Sequence, residues 1–376
     1  MKQPKILVTG ATGRTGFAVV TQLREKEIPV RALVRSRDAR SEKLARLGAE
    51  VVVADMFDPE QLLSAMRETE RAYYLPPMHP YMIQSATAFA VAAREAKLES
   101  VVQMSQWLSS PSHPSLLTRQ TWLVDQLFSM IPGVAHTILN PGFFADNYLR
   151  VIGFAAHLGL FPALTGDSKN APPSNEDMAR VAVTALLNPE KHAGKSYRPT
   201  GPTLLSADDM VNILSKVLGR KVRRFDLPVW MFVRTARIQG VSAFEMSGFR
   251  YYIQDHKQGA FELGAPTNHV LEVTGRQPED FETIARRYAA RPEAQRNFKN
   301  WLHTFSEFMQ VPMRPGYNLN KFDREQGFPV PPPPQFVMQS ERWKATHSFP
   351  KDFARDNRII PTRKSTATIT TSGGLK

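Results

Sequence analysis

Eight residues near the start of the chain, Thr9-Gly10-Ala11-Thr12-Gly13-Arg14-Thr15-Gly16, have the types and spacing to hold an anion. Gly10 permits a tight turn, Gly13 lets backbone N–H groups approach a diphosphate, and Gly16 lets a following helix pack closely on the preceding strand. The anion would rest on the positive end of that helix. This is the chemistry of a dinucleotide site, and it requires a strand before the loop and a helix after it.

The next turn chooses between dinucleotides. An acidic residue at the end of the second strand binds a ribose 2′-hydroxyl, whereas a basic one suits a 2′-phosphate. Here the segment is Arg31-Ala32-Leu33-Val34-Arg35-Ser36-Arg37-Asp38. Arg35 stands at the strand end with Arg37 close by, and Arg14 is expected to project from the glycine loop toward the same place. Guanidinium donors match phosphate geometry, so NADP(H) is expected over NAD(H), unless Asp38 turns inward. Asp55 is placed to bind an adenine amino group, with Met56 over the ring. A helix cap is the alternative for Asp55, although Asp58 is the better cap.

The elements needed to position these residues are legible. Apolar runs at 5–9, 30–34, 50–54, 71–75, 100–104 and 135–139 read as buried strands. Helical spacing fills the gaps at 16–27, 39–47, 59–66, 83–96 and 122–130. The alternation specifies an α/β fold, a Rossmann-like doubly wound parallel sheet. A smaller C-terminal substrate domain and an extended proline-rich arm follow. The boundaries read as 1–142 for the NAD(P)-binding domain, 143–290 for sheet completion and substrate domain, and 291–376 for the arm. Within the second region, helices are expected at 174–187, 206–218 (with Gly219 as its terminator) and 280–290, and a strand at 196–199.

The arm differs in composition. It holds 14 basic against 7 acidic residues and 10 of the 29 prolines, including Pro331-Pro332-Pro333-Pro334. Its many aromatics argue against simple disorder. It is expected to lie extended across the body or onto a second copy as a homodimer contact, without regular structure, and to be disordered from about Thr362. The chain has no cysteine and a net charge of +13, which excludes disulfides and thiolate chemistry. Scattered histidines give no metal pattern, and no nucleic-acid motif accompanies the charge. No stretch reads as a membrane span or a leader, so a cytoplasmic location is the expectation.

With these motifs in hand, the sequence resembles the NmrA-like group of atypical short-chain dehydrogenases/reductases. The likeness rests on residues 8–16 and 30–35, and on Asn140-Pro141-Gly142-Phe143-Phe144-Ala145-Asp146-Asn147, where the family commonly has Arg in place of Asn140. It continues through Glu176-Asp177-Met178-Ala179-Arg180, Thr200-Gly201-Pro202 and Thr274-Gly275-Arg276-Gln277-Pro278-Glu279-Asp280. It spans about residues 3–290. The resemblance implies NAD(P)(H) binding and two kinds of member: reductases of quinones or other apolar aromatic substrates, and non-catalytic redox sensors acting through protein contacts.

Short-chain reductases supply the substrate proton from a Tyr-x-x-x-Lys pair, here expected within 105–126. That window has neither Tyr nor Lys, and the pair at Tyr317 and Lys321 lies in the arm, as chance allows. The candidates left are Ser105 at the end of strand five, His113 between Ser112 and Pro114, and the phenol of Tyr81. Each has a plainer alternative as turn former, surface residue or packing group. Tyr74, Met78, Trp107, Phe143 and Phe144, with Tyr73 and Tyr148, are the candidate lining of an apolar pocket beside the nicotinamide. A quinone needs less acid help than a ketone, since its reduced oxygen is a less basic phenolate. The expected function is therefore an NADPH-dependent oxidoreductase of an aromatic or quinone-like substrate. A dinucleotide-binding sensor is the alternative.

Overall fold

Strands β1 (Ile6–Val8), β2 (Val30–Val34), β3 (Glu50–Val53), β4 (Arg71–Tyr74), β5 (Ser100–Met104) and β6 (Ala135–Leu139) alternate with helices α1 (Arg14–Glu25), α2 (Ala39–Arg46), α3 (Pro59–Met66), α4 (Met82–Glu95) and α5 (Leu116–Ser129). The structure, a computed structural model, describes residues 3–348. The segment from Thr362 lies outside the described residues.

Beyond β6 come α6 (Ala145–Leu149), β7 (Leu160–Ala163), α7 (Asn175–Leu187), α8 (Pro189–His192), β8 (Ser196–Tyr197), α9 (Ala207–Leu218) and β9 (Arg223–Asp226). Helices α10 (Val229–Ile238), α11 (Ala243–Lys257), α12 (His269–Thr274), α13 (Phe281–Ala289), α14 (Phe298–Gln310), α15 (Leu319–Gln326) and α16 (Glu341–His347) complete it.

The main sheet is parallel, in the order β3-β2-β1-β4-β5-β6-β8. The order in which successive strands are laid down reverses between β1 and β4, which opens a crevice at their carboxyl ends. Alternation along β1 shows why the sheet is covered on both sides. Ile6 and Val8 enter the core beneath α1 and α7, and Leu7 enters the opposite core beneath α3, α4 and α5.

Capping explains several boundaries. Ser174 caps α7, Ser206 and Asp209 form a capping box on α9, and Gly219 ends that helix in the left-handed region at φ +59°. The two-stranded parallel sheet of β7 and β9 was not foreseen. β9 reads Arg-Arg-Phe-Asp, too polar to register as a strand.

The arm corrects the expectation of irregular structure. Pro312, Pro315, Pro329 and Pro331 to Pro334 fall between α14, α15 and α16, and Asn297, Asn318 and Ser340 cap the three helices through side-chain hydrogen bonds. It packs on the body of its own chain. Val337 and Trp343 are buried with Trp107, Leu108, Ala260 and Phe261.

Candidate functional site

The glycine loop closes on itself. Gly10 adopts φ +60°, Gly13 N–H donates to the Gly10 carbonyl at 2.9 Å, and a Cβ on Gly16 would lie 2.3 Å from that same oxygen. The Thr9 hydroxyl accepts the Leu75 amide at 2.8 Å, tying the loop to the end of β4 across the crevice. Helix α1 begins at a glycine, with no capping side chain and no acidic residue in its first turn. Its first amides thus lack the usual internal partner. This fits a diphosphate: Gly10, Thr12, Gly13, Thr15 and Gly16 form the cradle. In it the Gly13 amide and the Thr15 hydroxyl are engaged (the latter donates to Asn175 Oδ1 at 2.8 Å), and the amides of Thr12, Arg14, Thr15 and Gly16 face no backbone acceptor among the described residues.

Arg35 sits exposed at the end of β2 and makes no hydrogen bond or ion pair among the described residues. Asp38 is committed elsewhere: its carboxylate caps α2 and pairs with Arg40 at 2.6 Å. Arg14 does not join Arg35. Its guanidinium pairs with the buried carboxylate of Asp146 on α6, which also accepts the Tyr288 hydroxyl and pairs with Arg150 at 3.3 Å. Burial and the nearby Arg150 lower the Arg14 pKa. Asp55 gives one oxygen to the Phe57 amide at 2.9 Å and stays exposed, while Asp58 caps α3. Met56 is half-buried against the core under α3 and α4.

The three catalytic candidates lie apart. Ser105 is buried and donates to Asp125 on α5 at 2.8 Å. Ser109 donates to the same oxygen at 2.8 Å, and Gln103 to the other at 2.7 Å. Burial pushes Asp125 up to about 7 against these three donors. Asp125 borders a hollow whose lining also includes Trp107, Arg198, Trp343 and His347. His113 is fully buried, not a surface loop residue. Its Nδ1 accepts the Ser115 amide at 3.0 Å, so Nε2 carries the hydrogen and donates to Asp255 at 2.7 Å. No open face is left for a substrate. Tyr81 is 64% exposed beside His79.

The pocket expectation divides as well. Tyr74 is a core residue stacked on Phe128 and tilted against Phe89, and Tyr73 is equally buried on the other face. Met78 is 53% exposed. Trp107 is locked in place: its Nε1 donates to the Ala260 carbonyl at 2.8 Å, and its own carbonyl accepts Trp343 Nε1 at 3.2 Å. Phe144 packs against the core beneath α1 and α7. Phe143 alone of the five lines the large apolar cavity.

That cavity holds about 1180 Å³ of empty space, its mouth included. Its wall includes Phe143, Tyr148, Phe154, Phe225, Met231 and Phe308, the last contributed by α14 of the arm. Phe143 meets Tyr148 edge-on at 5.1 Å. The Tyr148 hydroxyl lies 2.9 Å from His256 Nε2, and Ser168 Oγ lies 2.7 Å from His256 Nδ1. Burial lowers His256 to about 4 and raises the Tyr148 phenol. The sequence marks Tyr148 as an aromatic and Asp146 only as a member of the 140–147 motif, with no role; Asp125, Ser168 and His256 were missed, and no local motif marks them.

Helix α6 joins the two regions. Asp146 holds Arg14 of the glycine loop, and Tyr148, two residues on, stands in the cavity wall. Among the described residues no cluster suits a metal ion, and no helix is long and apolar enough to cross a membrane.

Fold and loop together define a dinucleotide-binding protein of the Rossmann type. The NmrA-like family pattern matches residues 2–116. An NAD(P)H azoreductase of Xenophilus azovorans is 30% identical over 292 residues, covering 76% of this chain and 98% of the relative. The chain belongs to the NmrA-like family. Among solved structures, the NADPH-dependent quinone oxidoreductase of Escherichia coli complexed with NADPH superposes with a TM-score of 0.63 at 22% identity, covering 75% of this chain and 99% of that one. The negative transcriptional regulator NmrA, in complex with NAD, superposes with a TM-score of 0.59 at 16% identity, covering 76% and 95%.

Proposed function

We propose that the protein is an NADPH-dependent oxidoreductase that reduces apolar aromatic or quinone-like acceptors. The observation that carries this reading is the ring-walled cavity reached through α6, the helix that also fastens the glycine loop. In this reading the loop amides from Gly10 to Gly16 hold the diphosphate, Arg35 takes the 2′-phosphate, and the second carboxylate oxygen of Asp55 takes the adenine amino group. The reduced dinucleotide, when bound, supplies a hydride. The protein's part is to seat a flat ring in a dry cavity, where dispersion and water exclusion favour an apolar acceptor. The azoreductase and quinone oxidoreductase relatives support that substrate class. The test is NADPH consumption with a panel of quinones and azo dyes. Turnover with at least one member is expected; tight NADPH binding with no turnover on any member overturns the reading.

A second reading has its own observation. Helix α14 exposes Phe298, Leu302 and Met309, and Met313 just beyond it is 79% exposed. An apolar face of this kind suits a protein contact, including a homodimer through the arm. A dinucleotide sensor acting through that face is the function that no turnover, with NADP(H)-dependent association, would support.

A further inference from the structure

One polar group of the apolar cavity's wall is tied by hydrogen bonds to a hydroxyl at the surface on another side of the wall. Tyr148 belongs to its wall, and the phenol oxygen touches His256 Nε2 at 2.9 Å and Asn170 Nδ2 at 3.3 Å. Asn170 is fixed by donating to the Phe143 carbonyl at 2.6 Å. His256 is buried on α11, and its Nδ1 meets Ser168 Oγ at 2.7 Å. Ser168 borders an open hollow with Asp167, Lys257, Gln258 and Glu262. Phenol, imidazole and hydroxyl thus form an unbroken chain from the cavity wall to the surface.

The Ser168 hydroxyl has two acceptors within reach, the Thr165 carbonyl at 2.8 Å and His256 Nδ1. Each choice sets the whole chain. With Ser168 turned to Thr165, His256 carries its hydrogen on Nδ1 and the phenol donates to Nε2. With Ser168 turned to His256, the hydrogen sits on Nε2 and is donated to the phenol oxygen. Asn170 donates there too, and the phenol hydrogen then has no protein acceptor. The second arrangement is that of a proton donor whose conjugate base is already held by two N–H groups. A neutral imidazole is needed to switch between the two, and burial keeps His256 neutral at ordinary pH.

We propose that Tyr148 donates the proton to the oxygen or nitrogen of an aromatic acceptor in this cavity, and that His256 and Ser168 return a proton to it from solvent. The proposal rests on the reductase reading for its hydride. The acceptor gains that hydride from the reduced dinucleotide and a proton from Tyr148, so the O–H bond of Tyr148 breaks as the O–H or N–H bond of the product forms. His256 Nε2 then reprotonates the phenolate, Nδ1 takes the Ser168 proton, and Ser168 takes one from water. Tyr148 touches the substrate; His256 and Ser168 are positioning residues. The relay occupies the role left empty by the absence of a Tyr-x-x-x-Lys pair at α5.

The test has a binding arm and a turnover arm. In the binding arm, calorimetry compares a naphthoquinone with naphthalene in the full chain without dinucleotide. Tyr148→Phe, which keeps the ring, should weaken the quinone about 5-fold to 10-fold and leave the hydrocarbon unchanged. In the turnover arm Tyr148→Phe should lower kcat with NADPH about 100-fold with a much smaller change in KM. His256→Ala should lose kcat in the same way and regain part of it with added imidazole, which a purely structural role would not allow. Wild-type kcat in Tyr148→Phe overturns the donor role while leaving the reductase reading intact. If the wild type turns over no acceptor, the reductase reading fails and the binding arm decides: lost discrimination supports Tyr148 as the group that meets the ligand oxygen, and retained discrimination overturns it.

Discussion

His113 donates to one oxygen of Asp255 at 2.7 Å, and the other oxygen of that carboxylate accepts the amide of Val337 at 3.2 Å. Both side chains are fully buried. One residue of the loop after β5 and one of α11 therefore hold the arm through a single carboxylate. Arg119 adds to the same clasp, donating to the carbonyls of His113 and Pro329. Removing one partner of such a pair leaves a buried group uncompensated. His113→Ala should destabilise the protein by about 3 kcal/mol and make the arm an early site of limited proteolysis. Chemical denaturation and digestion followed by mass spectrometry would check this; an unchanged midpoint with an intact arm would remove His113 from that role.

A Cβ on Gly16 would lie 2.3 Å from the Gly10 carbonyl oxygen and 2.8 Å from its carbon. Both are backbone atoms, so α1 or the loop must move. Gly16→Ala should cost about 1–3 kcal/mol of stability as overpacking and weaken dinucleotide binding more than 10-fold. At Gly13 the nearest atom would be 3.1 Å away, so Gly13→Ala should be the milder change in stability. Melting curves with and without the dinucleotide would rank the two variants, and equal stability losses would contradict the packing argument.

The sequence carried the Rossmann half of the fold because its signals are local. The run Ile6-Leu7-Val8, the glycine loop and the cap at Asp58 each act within a few residues, as does the stop at Gly219 in the region that follows. The strand-end aromatics misled for a physical reason. Tyr73 and Tyr74 point to opposite faces of a sheet covered on both sides, so a position near the strand end is still core. Proline content hid the caps Asn297, Asn318 and Ser340, which set the arm's helices between the prolines. The relations that shape the candidate site join distant segments. Tyr148 and His256 are 108 residues apart, His113 and Asp255 142, and Trp107 and Trp343 236. Periodicity and spacing report on none of these.

Arg35 offers a guanidinium with no hydrogen bond or ion pair among the described residues, at the end of β2. Asp38, the one acidic residue in that turn, is taken by its helix cap and Arg40. Arg35→Ala should therefore weaken NADPH binding by about 1–2 kcal/mol, as loss of a charge-assisted contact at an exposed position, and leave NADH unchanged. Calorimetric titration of both dinucleotides reads this directly. Equal losses for the two would assign Arg35 to the shared part of the ligand and remove the preference.

Asp125 gives the fold a distinctive pH response. Its carboxyl is buried and pushed up to about 7, while an unfolded chain titrates it near about 3.9. Between those values the folded protein holds a proton that the unfolded one has released. Its contribution to stability is full below about pH 4, declines by at most about 1.4 kcal/mol per pH unit on the way to pH 7, and is lost above. The buried neutral histidines His136 and His256, lowered to about 3 and about 4, act in the opposite sense below about pH 6.5. The informative quantity is therefore the difference between Asp125→Asn and wild type. An amide keeps a carbonyl for Gln103 and does not titrate, so the variant should gain stability relative to wild type as the pH is raised from 5 to 8. Urea midpoints at both values would show it. Parallel pH dependences would mean that the donors Ser105, Ser109 and Gln103 outweigh burial and keep Asp125 ionised throughout.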